Sequence, residues 1–472
     1  MSAAFRKGRL GLDPEPAEMR RMGEAVLAYL IAFIEGLDDA PAAATDGALE
    51  LARRLRASPP EDPGRFEDLF EQVRAAVAHT LEFAGPGYLA YIPGGGLFTA
   101  ALADFLAQGV NRFVGLWQTS PAVAQLEENV CRWICDVFDL PADARGILTS
   151  GGSMANLSAV VTARHAKLGD DPSDGVYYVS EQAHASVTKA AAIAGFSRKH
   201  LRIVPTDAEL RMDPEALRAL VREDRRAGAR PFLVVPSAGT TNTGAIDPLD
   251  AIADVAADEG LWMHVDAAYG GFFRLTERGR ARFRGIERAD SITVDPHKGL
   301  FLPYGTGALA VRDGAALRDA HFEGAAYLQD LQPTGELPNY SELSPELSRD
   351  WRGLRVWMPL VLHGVGAFRR ALDEKLDLAA WIDGELRSDP RLDLPWSTQL
   401  TVTPFRLRDA DDAANAELLR RINASRRVVL SSTRVGGRFV LRVCIVSHRT
   451  HRDRVEEAAG IIRAAAAELA GD

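Results

Sequence analysis

The sequence predicts an α/β fold built on a mostly parallel sheet. Three observations carry this. From Gly146 onward, short strands rich in β-branched residues alternate with helix-length segments. The strands stop at breaks of glycine, proline, serine or aspartate. Residues capable of chemistry gather just past the strands, where open α/β sheets bind their ligands.

The elements follow in order. The N-terminal segment reads as helices: "PAEMRRMGEAVLAYLIAFIEGL" has apolar residues at helical spacing, "DDAPAAATDG" breaks it, and "PEDPGRFEDLFEQVRAAVAHTLEF" resumes it. Such an arm needs another surface to cover its apolar stripe. A glycine-rich stretch, "AGPGYLAYIPGGG", comes next. Ser120 and Pro121 then mark a helix start, with Val123, Leu126, Val130, Trp133, Ile134 and Val137 as its apolar stripe. Seven strands are expected in "GILT", "VYYVS", "LRIVPTD", "PFLVVP", "LWMHVD", "SITVD" and "GALAVRD". Asp213-Pro214 and Asp247-Pro248 read as starts of crossover helices. Beyond these, "QLTVTPFRL", "RFVLRVCIVS" and a last helix suggest a small α+β unit. The expected division is a helical arm over 1–85, a large α/β domain over 86–374 and a small α+β domain over 375–472.

Composition narrows the class. The chain has 472 residues, a net charge of −10 and 47% hydrophobic residues, ordinary for a globular protein. Its most apolar helical run, "AVLAYLIAFIEG", falls well short of the roughly 20 residues a membrane span requires. No leader pattern opens the chain, and a cytoplasmic location is expected. An acidic balance without a basic stripe argues against nucleic acid. The three cysteines, Cys131, Cys135 and Cys444, form no CxxC pair, so neither a disulfide framework nor a metal site is expected. Cys131 and Cys135, at i and i+4 of an apolar helix, read as core.

The strand ends carry the functional signal. After "GILT" come Ser150, Gly151, Gly152 and Ser153, at a helix start. After "VYYVS" comes His184, and after "PFLVVP" come Gly239, Thr240 and Thr241. "LWMHVD" ends on Asp266, and "SITVD" leads to His297 and Lys298. Each has an ordinary reading alone, as turn, cap, core or surface residue. Together, at the ends of five strands of one sheet, they fit pyridoxal phosphate. That cofactor needs a lysine for its covalent attachment, an acid beside its pyridine nitrogen and a cradle for its phosphate. A carboxylate keeps the pyridine protonated by charge pairing. Gly152 and Ser153 would offer amide groups and a hydroxyl at a helix N-terminus. A lysine in a dry pocket gains nucleophilicity.

The segments "TSGGSMANL", "AHASVTKA", "AGTTNTGAIDPL", "HVDAAYGG" and "DPHKGL" resemble, in order and spacing, the group II pyridoxal-phosphate-dependent decarboxylases. That family includes aromatic-L-amino-acid, histidine and glutamate decarboxylases. The resemblance runs from "GYLAYIP" to "RFVLRVCIVS". It implies a fold-type I large domain and a homodimer with sites at the subunit interface, the N-terminal helices wrapping the partner. It implies Lys298 as the Schiff-base lysine, Asp266 as partner of the pyridine nitrogen, Ala268 beneath the ring and His184 stacked above it. Gly152, Ser153 and His297 resemble phosphate-side residues, and Thr241 a contact on the ring side. A tyrosine on a mobile segment returns a proton to the substrate carbon in this family. Counting back from "RGLRVW" suggests Tyr340, with Tyr327 the other tyrosine in reach; either is open to an ordinary packing role. Tyr91, Phe113 and Trp117 are candidates for an aromatic side-chain pocket, or for core.

Five positions depart from the family pattern. Met154 stands where Glu is common, Asp295 where Asn lies near the phosphate, Gly94 and Gly95 in place of a threonine-bearing turn, and Gly299 in place of Trp. The expected activity is α-decarboxylation of an L-amino acid, with aromatic substrates favoured. Alternatives are an aldehyde synthase, another carbon–carbon lyase or an aminotransferase, or a non-catalytic dimeric homologue. A loop phenylalanine in place of tyrosine favours aldehyde synthesis in the family, so the tyrosine tips the balance to decarboxylation.

Overall fold

A computed structural model describes residues 12–323 and 337–471. The main sheet has seven strands: β1 (Arg145–Thr149), β2 (Gly175–Ser180), β3 (Leu201–Val204), β4 (Arg230–Val235), β5 (Trp262–Asp266), β6 (Ser291–Val294) and β7 (Gly307–Val311). Their order is β1-β7-β6-β5-β4-β2-β3. β7 runs antiparallel to both its neighbours and every other pairing is parallel. All seven expected strands are present. β2, β5 and β7 are buried along their whole length, which is why they read as continuous apolar runs without alternation.

A second sheet, entirely antiparallel, follows: β8 (Leu392–Asp393), β9 (Val402–Leu407), β10 (Ser431–Val435) and β11 (Arg438–Cys444), in the order β10-β11-β9-β8. The helix Val365–Arg387 joins the two units. Its Phe368, Leu372 and Leu376 enter the main core, while Leu378, Ala379, Ile382 and Leu386 enter the core of the second sheet. The boundary expected at 374/375 therefore falls inside one continuous helix that serves both cores.

The N-terminal helices Pro16–Glu35, Ala48–Arg54 and Phe66–Val77 bury none of their residues. Met19, Val26, Leu27, Ile31, Leu69 and Val73 are exposed.

Local signals performed unequally. Asp213 caps its helix, accepting from the amides of Glu215 and Ala216. Asp247 does not cap; it is buried and accepts from Met212 N at 2.6 Å and Ser237 N at 2.7 Å, holding two loops together. Burial pushes its carboxyl up to about 6. Ser120 precedes its helix without a side-chain cap bond. Cys131 and Cys135 are buried and free.

Candidate active site

Five strand ends meet at a cavity of about 240 Å³. Gly152, Ser153, His184, Thr241, Asp266, Ala268, His297 and Lys298 all line it, with Ser150, Gly151, Met154, Asn156, Ser186 and Asp295. The eight cofactor candidates of the sequence thus come together.

β1 delivers the glycine turn. Gly151 has φ of 151°, where a side chain is strained. A Cβ on Gly152 would lie 3.0 Å from Asp295 Oδ2 and 3.2 Å from Ala268 Cβ, so only glycine lets the turn approach this closely. The helix Gly152–Leu168 starts here with no side-chain cap. Its first amides and the positive end of its dipole are left for an anion.

β2 leads to His184, which caps the helix Ala185–Ile193 by accepting from Ser186 N. β5 ends on Asp266, which is 7% exposed. Its Oδ1 accepts from Ala268 N at 3.1 Å and its Oδ2 from Asn156 Nδ2 at 3.2 Å.

β6 runs into one helical turn, Pro296–Gly299. This turn places Lys298 Nζ 2.9 Å from Asp295 Oδ2. His297 Nδ1–H donates to Thr306 O at 2.6 Å, and burial holds its imidazole below the usual range. Asp295 is 1% exposed, and its Oδ1 is buried without a hydrogen-bond partner.

Pyridoxal phosphate fits this set. There is an amine for covalent attachment, a carboxylate at a strand end for the pyridine nitrogen, and an uncapped glycine-built helix start for the phosphate. Asp295 fits neither the ring nitrogen nor an anion; its Oδ2 pairs with Lys298 Nζ.

The substrate-side candidates do not gather here. Tyr340 is 1% exposed and sits outside the cavity. Its hydroxyl donates to Glu128 Oε2 at 3.0 Å, and the Arg349 guanidinium lies 4.5 Å over its ring. The expectation that Tyr340 faces the substrate is not met in this chain's own cavity, which Tyr340 does not line, because its buried hydroxyl is turned to Glu128. Tyr327 lies outside the described residues. Tyr91 is 60% exposed, Phe113 half-buried and Trp117 buried, and none lines the cavity.

Two departures from the family pattern have steric reasons. A Cβ on Gly95 would collide with the His448 ring, and one on Gly299 would lie 2.7 Å from Phe272 Cβ. Three polar residues of the site went unremarked in the sequence: Asn156, Ser186 and His264. Each sat inside a quoted motif. The available signal was a buried-type helix or strand position occupied by a polar side chain, which demands a partner.

A family model for the pyridoxal-dependent decarboxylase conserved domain matches residues 49–408. An aromatic-L-amino-acid decarboxylase of Bacillus atrophaeus is 34% identical over 462 residues, 96% of each chain. Tryptophan decarboxylase 1 of Oryza sativa subsp. japonica is 31% identical over 452 residues, 89% of this chain and 88% of its own. Among solved structures, Oryza sativa TDC with PLP and tryptamine superposes with a TM-score of 0.91 at 28% identity, covering 98% of this chain and 99% of that one. With a family model across most of its length and relatives matched from end to end, the chain belongs to the pyridoxal-dependent decarboxylase family, lyases that use pyridoxal phosphate.

Proposed function

We propose that the protein converts an aromatic L-amino acid to its amine and carbon dioxide. The observation that carries this reading is the cavity where Lys298, Asp266 and the Gly151–Gly152 turn meet. The names of its relatives, aromatic-L-amino-acid and tryptophan decarboxylases, support the aromatic class. When bound, the cofactor supplies an electron sink for the pair left behind by carbon dioxide.

The chain's own groups do the rest. Lys298 would hold the cofactor covalently and would supply the amine that competes with the substrate's for that attachment. Asp266 holds positive charge at the ring nitrogen. The first turn of the helix Gly152–Leu168 would anchor the phosphate, and His184 and Ala268 would enclose the ring. A proton must reach the substrate α-carbon. With the Tyr340 hydroxyl committed to Glu128, we assign this step to Tyr327.

We also infer a homodimer with its sites near the interface. Support comes from the N-terminal helices, whose Met19, Val26, Leu27, Ile31, Leu69 and Val73 are exposed, and from Phe105, 74% exposed on the helix Phe98–Val110. Tyr91, Phe113 and Trp117 remain our candidates for shaping the aromatic pocket in that assembly. A cytoplasmic setting completes the reading; no described helix is long and apolar enough to cross a membrane.

Incubation with L-tryptophan and pyridoxal phosphate, with amine, aldehyde and carbon dioxide measured together, tests the reaction type. Amine and carbon dioxide in equal amounts are expected; aldehyde with ammonia would make the protein an aldehyde synthase.

A further inference from the structure

The cavity floor rests on a buried chain of hydrogen bonds whose directions are set by the groups at its ends. Trp262 Nε1–H, which can only donate, reaches Ser291 Oγ at 2.8 Å. The Ser291 hydroxyl lies 2.8 Å from His264 Nδ1. Its oxygen accepts from Trp262, and its own hydrogen goes to that nitrogen because the single ring hydrogen is needed on Nε2. His264 is fully buried, and burial lowers its imidazole to about 4, so the ring is neutral near pH 7. Its one hydrogen is then on Nε2, which meets Asn156 Oδ1 at 3.0 Å. The Asn156 amide is left with two hydrogens. One goes to Asp266 Oδ2 at 3.2 Å and the other to Ser186 Oγ at 2.9 Å.

The far end fixes the same orientation independently. Asp266 is an acceptor, so an amide turned the other way would set oxygen against oxygen there and leave His264 Nε2–H facing an N–H. On the second branch, Ser186 sends both its hydroxyl, at 2.7 Å, and its backbone N–H, at 3.2 Å, to His184 Nδ1. That leaves the His184 hydrogen on Nε2.

We propose that Asn156 is the positioning residue of this active site: one amide, oriented by His264, divides its two hydrogens between the Asp266 carboxylate and the Ser186 hydroxyl that holds the His184 imidazole. Asp266 ends β5 and His184 follows β2, and Asn156 links the two, directly to Asp266 and through Ser186 to His184. The proposal rests on the reading of Asp266 as the ring-nitrogen partner.

The test titrates pyridoxal phosphate into cofactor-stripped protein and follows fluorescence quenching and the visible absorbance of the bound cofactor against pH. Asn156→Ala should weaken affinity about 10- to 100-fold, the worth of one hydrogen bond to a charged group. It should also move the pH midpoint of the absorbance by at least about half a unit. In an Asp266→Ala background the same change should weaken affinity less than about twofold, because the group it acts through is gone. Ser186→Ala, which cuts only the His184 branch, should leave the pH midpoint in place. Equal losses in both backgrounds, or an unmoved midpoint in Asn156→Ala, would overturn the proposal. Should Asn156→Ala fail to fold, Asn156→Asp fills the same space and keeps Oδ1 for His264. Its affinity loss should be relieved by Asp266→Asn, and an unrelieved loss would overturn the proposal equally. Wild-type protein that takes up no pyridoxal phosphate would sink the cofactor reading itself, whereas normal uptake with an indifferent Asn156→Ala would sink this proposal alone.

Discussion

The two sides of the cavity are built differently. On the ring side, Asp266 has a donor on each oxygen, and behind it Asn156, His264, Ser291 and Trp262 partner one another in turn. On the phosphate side, Asp295 is just as buried, yet one oxygen has no partner and the other holds Lys298. The contrast teaches where each side keeps its order. The ring side is fixed before any ligand arrives, which suits a group that must stabilise charge without reorganising. The side beside the glycine turn, where the phosphate would lie, is held by an ion pair that attachment of the cofactor at Lys298 would break. A buried carboxylate that loses its cation is costly, so Asp295 should set how readily the cofactor comes and goes.

Four experiments probe this contrast, the largest effect first. Lys298→Ala removes the attachment point, and turnover should fall on the order of 10⁴-fold or more, with loss of the visible absorbance of the bound cofactor. Retained absorbance would place the attachment elsewhere. Next come the two tyrosines. Tyr327→Phe should lower amine formation by about 10²- to 10⁴-fold, the range for one proton-transfer group, and shift product toward aldehyde. Tyr340→Phe should leave turnover near wild type but cost about 1–3 kcal/mol of stability, because Glu128 loses its buried donor. The reverse pattern in rapid-quench and melting measurements would restore Tyr340 to the chemistry.

Asp295→Asn should act on the phosphate side alone. Equilibrium titration should show tighter pyridoxal phosphate binding by several-fold, since an anion leaves the neighbourhood of the phosphate cradle. Weaker binding would mean that the Lys298 pair matters more than the repulsion.

The last effect concerns pH. His264 is held at about 4 against an ordinary 6.5. At pH 7 both folded and unfolded states leave it neutral, and it contributes nothing. As pH drops below 6.5 the unfolded state takes a proton that the folded state refuses, so stability falls, by about 2 kcal/mol at pH 5. Asp247, raised to about 6, works in the opposite sense between pH 6 and 4. The comparison of wild type with His264→Gln separates them: the melting temperature of the variant should decline less from pH 7 to pH 5. An identical decline would show that His264 does not carry the acid sensitivity.

Much of the fold was legible because buried parallel strands advertise themselves as apolar runs with abrupt ends. The site was legible for the same reason: Asp266, His297 and Lys298 follow strands whose ends are set by backbone geometry. Tyr340 shows where this reasoning stops. Counting residues located its segment, but only packing decides that its hydroxyl turns toward Glu128 and not toward a substrate. Asn156 and His264 illustrate the converse. They lie within a helix and a strand, so a reading of loops passed over them, although a histidine inside "LWMHVD" has no reason to be buried without a partner. The boundary at 374/375 failed to register a break because a helix shared by two cores has none to show.

The most direct test of the account is kcat/KM across a panel of L-amino acids, with products identified. The account predicts amine from tryptophan, tyrosine or phenylalanine at rates exceeding those from glutamate and histidine by about 100-fold or more. Preference for glutamate or histidine, or aldehyde in place of amine, would contradict it.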